Sequence, residues 1–265
     1  MLFKGGMSRK KGRAVMERRE GESACCAAGG SYLALDLETT GLDPKRDKII
    51  EIGACRVKNG VIEKELSLFV NPHQALPERI ISLTGITDGM LKEAPDMEAV
   101  IGQVMEFCQD LPILGHHVIF DYSFLKRAAV NAGFPFERAG IDTLAVCRRF
   151  MPAEEKKNLS AACAWFQVPR ETAHRALSDA RMAHFLYQKI REQNFSGNEE
   201  IFSEKPLIYK VKRDQPASKK QKEDLRELAK YHRINLSVDI EYLTRNEASR
   251  MTDKIIFQYG RMKKR

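Results

Sequence analysis

Two carboxylates interrupt an otherwise apolar stretch at residues 32–38, which reads YLALDLE. A run this apolar predicts a strand in the middle of a sheet, ended by the turn-forming residues at 39–44. Because side chains alternate along a strand, Asp36 and Glu38 share one face, with their Cα atoms about 7 Å apart. Buried carboxylates need compensating cations, and oxygen ligands favour Mg²⁺ or Mn²⁺ over zinc. From this pair alone, a metal site and two acids at the rim of a sheet are equally good interpretations.

The remaining patterns predict an α/β fold. Residues 48–58 and 61–70 read as strands joined at Asn59-Gly60, a strong hairpin signal, so the chain opens with a three-stranded antiparallel meander. Short strands at 112–115 and 140–142 then alternate with helical patterns. This order favours a sheet with helices packed on it.

Charge divides the chain into an acidic middle and two basic ends. The 44 Lys and Arg outnumber the 36 Asp and Glu by 8, with net charges of +4 over residues 1–30, −4 over 31–202 and +8 over 203–265. We predict a disordered basic tail at 1–30, a sheet domain at 31–195, a linker at 196–217 and a small basic helical module at 218–265. Capping boxes at 218–221 and 244–247 mark the starts of the module's two helices. The basic ends suggest a polyanionic partner.

Composition argues against a membrane protein and a secreted one. No apolar run reaches the roughly 20 residues of a membrane span. The six cysteines form no CxxC pair, and four of them lie in apolar stretches. Buried thiols in a reducing cytoplasm are therefore expected, rather than disulfides or a cysteine metal site.

Three further titratable residues lie where helices are predicted to begin. Asp121 follows the strand at 112–115, and taken alone it is best read as an N-cap. His174 and Asp179 are five residues apart, which would turn them about 140° away from each other on one helix. The better interpretation places His174 in a loop and Asp179 in the first turns of the helix that follows. A surface histidine and a solvated aspartate are the alternative for this pair.

Together these residues resemble the active-site motifs of the DEDD 3′–5′ exonucleases, His subtype, a family that includes the proofreading epsilon subunit of bacterial DNA polymerase III and related ribonucleases. The first motif is LDLETTGL at 35–42, the second ends at Asp121, and the third runs from His174 to Asp179. The tyrosine subtype needs a tyrosine where this chain has Arg175. The resemblance covers about residues 31–192 and implies a ribonuclease H-like α/β fold, with a mixed five-stranded sheet flanked by helices.

The resemblance also implies a catalytic role for each of these residues. Two Mg²⁺ ions, for which Mn²⁺ can substitute, would be held by Asp36, Glu38, Asp121 and Asp179, with Asp36 shared between them. Two such ions can stabilise both the attacking and the leaving oxygen of a phosphoryl displacement. His174 would be the general base that takes a proton from the attacking water.

Substrate contacts follow from the same resemblance. The terminal nucleotide would lie against a turn formed by Thr39, Thr40, Gly41 and Leu42, with Leu42 as a hydrophobic wedge against a base. Ordinary loop packing is an equally good interpretation of Leu42. His117 stands where the family usually has an asparagine, four residues before Asp121, and we expect it on the substrate side of the site.

The predicted function is a metal-dependent 3′–5′ exonuclease that releases nucleoside 5′-monophosphates from DNA 3′ ends in proofreading or repair. The same chemistry on RNA or short oligonucleotides is the alternative, because a contact to the ribose 2′-OH cannot be read from sequence. A non-catalytic scaffold is least favoured, since a scaffold has no need for four converging acids. Single-stranded 3′ ends are the expected ligand, and a DNA polymerase or another replication or repair protein is a candidate partner. For the module at 218–265, nucleic-acid contact and protein docking are both open.

Overall fold

The computed structural model describes residues 30–169 and 174–262. The predicted tail, apart from its last residue, lies outside the described residues. The strands are β1 (Tyr32–Thr39), β2 (Ile49–Lys58), β3 (Val61–Phe69), β4 (Ile113–Gly115), β5 (Ala139–Asp142) and β6 (Lys205–Pro206). They form one sheet in the order β3-β2-β1-β4-β5-β6.

The first three strands form the predicted antiparallel meander. β1 pairs with β2, and β2 pairs with β3 across a turn in which Asn59 and Gly60 both have positive φ, 51° and 79°. That backbone is the one a two-residue hairpin turn requires. β4 pairs with the other side of β1 in parallel, and β5 pairs in parallel with β4. β1 therefore lies inside the sheet, as its apolar sequence predicts.

The sheet has six strands, and the prediction of five is wrong. β6 pairs antiparallel with β5, and the Leu207 N–H extends the ladder with a 2.9 Å bond to the Arg138 carbonyl. This segment lies within the predicted linker at 196–217. It pairs because β5 would otherwise leave an open edge. Leu207 also fills the space beside Gly140, where a Cβ would lie 2.6 Å from the leucine side chain.

Helices cover both faces of the sheet. In the described part of the chain they are α1 (Glu78–Thr84), α2 (Asp88–Leu91), α3 (Met97–Cys108), α4 (Val118–Asn131), α5 (Thr143–Phe150), α6 (Leu159–Trp165), α7 (Ala176–Asn194), α8 (Lys219–His232) and α9 (Arg245–Tyr259), with 3₁₀ turns at Glu199–Phe202 and Ile240–Tyr242. The helices predicted to begin near Asp121 and after His174, and the two predicted in the module, are present as α4, α7, α8 and α9. α1 and α2 are too short for a helical repeat to reveal them. None of these helices combines the length and the apolar character needed to cross a bilayer.

Two cores place α7 over the centre of the sheet. Ala34 packs with α5, α6 and α7 on one face, and Leu35 packs with α3 and α4 on the other. The start of α7 lies directly against Gly53 of β2, where a Cβ would lie 2.0 Å from the backbone of Ala176. This contact puts the start of α7 over β1 and β2. Asp36 and Glu38, the next two residues on the same face of β1 as Ala34, therefore lie beside it.

α8 and α9 form a small unit with an apolar core of its own. Its buried residues are Ala217, Leu225, Leu228, Leu243, Ala248 and Ile255. Both predicted capping boxes are present, each with its reciprocal side-chain and backbone hydrogen bonds. The unit contacts the sheet domain, since the His73 ring stacks on Tyr242 with 3.3 Å between ring centroids and the Ala75 N–H donates to the Ser237 carbonyl.

Candidate active site

The two carboxylates of β1 face the start of α7. In the β1–β2 register, Asp36 lies opposite Gly53 and Glu38 lies opposite Glu51. Both acids are half-buried, and Leu37 between them belongs to the opposite core. The strand alternation predicted from sequence therefore brings Asp36 and Glu38 to one face.

His174 and Asp179 lie at the entry to α7. His174 is exposed, has a φ of 61° and comes two residues before the helix. Its backbone N–H donates a 3.1 Å bond to the carboxylate of Asp179, a residue that is only 9% exposed. Ligand-capable atoms of Glu38, His174 and Asp179 all lie within 4.8 Å of one another. They are therefore close enough together to contact one common ion.

Asp121 reaches the site from α4. The cap position of this helix is His117, so the interpretation of Asp121 as an N-cap is wrong. Its carboxylate accepts a 3.0 Å bond from the Leu37 N–H of β1. The Leu33 N–H of β1 donates to the Pro112 carbonyl, but the pairing of β1 with β4 ends at Ala34 and Leu114, and β4 itself ends at Gly115. Because alternate N–H groups of a strand point the same way, the Leu37 N–H lies beyond the end of β4, and Asp121 supplies its acceptor.

Burial and mutual repulsion raise the pKa values of these acids. The pKa of Asp36 lies well above its ordinary value because of burial and the nearby charges of Asp121 and Asp179. Burial raises the pKa of Asp121 to about 8, although the hydrogen bond from the Leu37 N–H lowers it. The pKa of Glu38 rises to about 7, from burial and from Asp179. A divalent cation among them would favour the ionised forms, so the donor set fits a hard metal ion.

Glu51 is a residue of the site region that sequence reasoning missed. It is 1% exposed, and its carboxylate accepts bonds of 2.9 and 3.2 Å from the Arg175 guanidinium and one of 3.1 Å from the Ala176 N–H. This clamp fixes the residues directly after His174 to β2. A single charged residue in the apolar run at 49–52 is the signal that could have revealed it.

The turn after β1 is held by its own side chains. Thr39 Oγ1 donates a 2.6 Å bond to the Gly41 carbonyl, and Thr40 Oγ1 accepts a 3.0 Å bond from a backbone N–H just before β2. A Cβ on Gly41 would lie 2.5 Å from the carboxyl group of Asp47. Leu42 is 75% exposed beside these buried residues. The turn therefore presents an apolar side chain on a well-fixed backbone.

The two histidines before α4 differ in their surroundings. His116 is enclosed, with Nε2 2.7 Å from the Lys157 carbonyl and Nδ1 2.9 Å from Thr143 Oγ1, and burial lowers its pKa. His117 is exposed, with a φ of 75°, and its N–H donates a 2.9 Å bond to the carboxylate of Asp142. His116 thus ties loops together, while the exposed His117 ring stacks on Phe120, with 6.5 Å between ring centroids.

A family model places the chain among known enzymes. The model named RNase_T, described as Exonuclease, matches residues 33–187. The chain belongs to this exonuclease family. The match spans β1 to α7 and so includes every predicted metal ligand and His174. This match confirms the prediction of a DEDD-type exonuclease family. It also confirms the predicted enzyme class, a nuclease.

The curated relatives are much longer proteins. The chain is 35% identical over 164 residues to DNA polymerase III PolC-type of Caldanaerobacter subterraneus subsp. tengcongensis, and the match covers 62% of this chain and 12% of that one. The same polymerase of Clostridium perfringens is 33% identical over 166 residues, with 61% and 12% covered. The chain thus spans about an eighth of the length of these relatives.

Solved exonucleases share the fold. E. coli exonuclease I in complex with a dT13 oligonucleotide superimposes with a TM-score of 0.56 at 17% identity, covering 64% of this chain and 43% of that one. Exonuclease X in complex with 5′ overhanging duplex DNA gives a TM-score of 0.51 at 23% identity, covering 64% and 97%. The predicted ribonuclease H-like architecture is confirmed by these similarities, apart from its strand count.

Proposed function

We propose that this chain is a 3′–5′ exonuclease that uses two divalent metal ions to release nucleoside 5′-monophosphates from DNA 3′ ends. The observation that carries the proposal is the convergence of four acids and an exposed histidine at one end of β1. These residues are Asp36, Glu38, Asp121, His174 and Asp179. They come from three separate segments and destabilise one another electrostatically, so a scaffold would gain nothing by holding them together.

The carboxylates are proposed to hold the metal ions. Asp36 interacts with the charges of both Asp121 and Asp179, which makes it the acid that two ions would share. Glu38 and Asp179 would complete one site, and Asp121 would serve the other. When bound, the ions would stabilise negative charge on the phosphoryl oxygens and acidify a water molecule. Mg²⁺ is the expected ion, and Mn²⁺ its substitute, because all four ligands are hard oxygens.

His174 is proposed as the general base. Its backbone is anchored through the hydrogen bond to Asp179, while its ring is exposed on the loop before α7. A side chain held in this way can approach a water molecule from the open side of the site. Imidazole suits the role because a ring nitrogen can accept a proton from the attacking water.

The turn after β1 is proposed to receive the terminal nucleotide. Leu42 offers an exposed apolar side chain to a base, and Thr39, Thr40 and Gly41 fix the backbone beneath it. His117 stands one helical turn before Asp121 and is exposed, so its ring is available for a hydrogen bond to the substrate.

The relatives favour DNA as the substrate. PolC-type proteins are DNA polymerases by name, and exonucleases I and X have been solved with DNA. We therefore propose single-stranded DNA 3′ ends as the ligand and proofreading or repair, beside a polymerase or another replication protein, as the setting. A cytoplasmic location stays a prediction from the cysteine pattern.

Degradation of 5′-labelled single-stranded DNA, duplex DNA and RNA, side by side with Mg²⁺ or Mn²⁺, tests this proposal. We expect DNA to shorten from its 3′ end, mononucleotide products, and no cleavage in EDTA. Asp36→Asn should be inactive, whereas Asp110→Asn, which removes a fully exposed acid, should keep wild-type activity. Wild-type activity in Asp36→Asn would overturn the assigned site. Faster cleavage of RNA than of DNA would identify RNA, rather than DNA, as the substrate.

A further inference from the structure

One face of α9 carries two cations and an exposed aromatic ring. Arg250, Lys254 and Phe257 follow one another at spacings of four and three residues, so they lie on one side of the helix. All three are exposed, Phe257 to 94%. The opposite side carries Ala248 and Ile255, which are buried in the core of the module. We call Arg250, Lys254 and Phe257 the α9 stripe.

The α9 stripe begins beside the proposed substrate turn. Glu247, one turn before Arg250, lies 2.6 Å from the ammonium of Lys48, and the Glu247 side chain is only 13% exposed. The backbone of Lys48 pairs with Thr40, since the Thr40 N–H donates to its carbonyl and its own N–H donates to Thr40 Oγ1. From this contact to Phe257 the helix rises about 15 Å, at about 1.5 Å per residue.

Further contacts fix the orientation of α9 relative to the sheet domain. The His73 carbonyl accepts a 2.8 Å bond from the Asp239 N–H, in addition to the stacking of His73 on Tyr242. Asp214, just before the module, lies 2.5 Å from Arg127 of α4. The α9 stripe is therefore held at a defined distance from the turn that follows β1.

We propose that the α9 stripe binds the single-stranded nucleic acid upstream of its 3′ end, an inference that rests on the proposed exonuclease function. Arg250 and Lys254 can neutralise phosphates, and the Phe257 ring offers a face on which a base can stack. Charge complementarity favours nucleic acid as the ligand of this region, because the net charge is +8 over residues 203–265 and −4 over residues 31–202.

Equilibrium binding of the full chain to a fluorescein-labelled oligothymidylate tests this inference. Fluorescence anisotropy in EDTA prevents metal-dependent cleavage and isolates affinity. We expect Phe257→Ala to bind about 5- to 150-fold more weakly, the range for loss of one stacked base. Replacing both Arg250 and Lys254 with glutamine should reduce the slope of log affinity against log salt by about 1.4, the value for two phosphate contacts to a single strand. Because these side chains are exposed, unchanged circular dichroism and melting temperature should accompany both effects.

A matched variant and a minimal substrate distinguish binding by the α9 stripe from a general effect of lost charge and from an effect on hydrolysis itself. Replacing Lys219 and Lys220, which are exposed at the start of α8, with glutamine removes the same charge and should affect binding much less. Hydrolysis of the p-nitrophenyl ester of thymidine 5′-monophosphate reports chemistry on a substrate too short to reach α9, and the stripe variants should hydrolyse it like the wild type. Unchanged oligonucleotide affinity in the stripe variants, or an equal loss in the α8 variant, would overturn the inference. A different result would contradict the proposed function instead: the stripe variants bind the oligothymidylate more weakly than the wild type, but the wild type hydrolyses neither the oligonucleotide nor the p-nitrophenyl ester when metal is present.

Discussion

Glu51 lies directly opposite Glu38 across β1 and β2, and Arg175 clamps Glu51 from the start of α7. Two like charges at such a cross-strand position repel each other. The Arg175 guanidinium compensates the inner acid and leaves Glu38 facing Asp179 and His174. The clamp therefore does two things, since it makes a buried glutamate tolerable in β2 and fixes the residue next to His174.

We predict that Arg175→Ala lowers the free energy of unfolding by about 3 kcal/mol, because it leaves the buried Glu51 carboxylate without its cation. Urea denaturation measures this change. Arg46→Ala is the matched control, since Arg46 pairs with Asp43 at the surface and its loss should change stability by less than about 0.5 kcal/mol. Equal stabilities of the two variants would show that the Glu51 clamp adds nothing to the fold.

The metal-free protein should lose stability as the pH rises. With pKa values of about 7 for Glu38 and about 8 for Asp121, the native state binds more protons than the unfolded state between about pH 4 and pH 8. The free energy of unfolding in EDTA should therefore be at least about 1 kcal/mol greater near pH 6 than near pH 9. Asp121→Asn should flatten this dependence, because it removes a group that titrates within the window. Stability that rises from pH 6 to pH 9 would contradict the assigned pKa directions.

The sequence predicted the parts of the fold and site that depend on local pattern. The meander follows from an apolar run and Asn59-Gly60, and the shared face of Asp36 and Glu38 follows from strand alternation. β6 could not be predicted, because two residues carry no periodic signal and pair only when the edge of β5 is nearby. Glu51 was missed for a similar reason, since its importance depends on Arg175, which is 124 residues away in the chain.

Substitutions of His174 and of Asp36 should have different effects on hydrolysis and on metal binding. We predict that His174→Ala lowers turnover by roughly 10²–10⁴-fold, as expected for the loss of a general base, with little change in metal affinity. Asp36→Ala should abolish both hydrolysis and metal binding, because it removes the acid placed between the two proposed sites. Calorimetric titration with Mn²⁺, alongside turnover on single-stranded DNA, measures both quantities. Equal metal affinity in the wild type and Asp36→Ala would contradict the ligand assignment.

Gly53→Ala should disturb the site without altering any of its polar groups. The added Cβ would lie 2.0 Å from the backbone of Ala176, so the start of α7 must move away from β2 and carry His174 and Asp179 with it. We expect a loss of at least about 3 kcal/mol in the free energy of unfolding, at the upper end of the range for overpacking, together with a marked fall in turnover. Gly102→Ala is the matched control, since Gly102 lies exposed in α3 with open space around its Cα, and it should stabilise the protein by up to about 1 kcal/mol. Wild-type turnover in Gly53→Ala would mean that the position of the α7 start does not determine the geometry of the site.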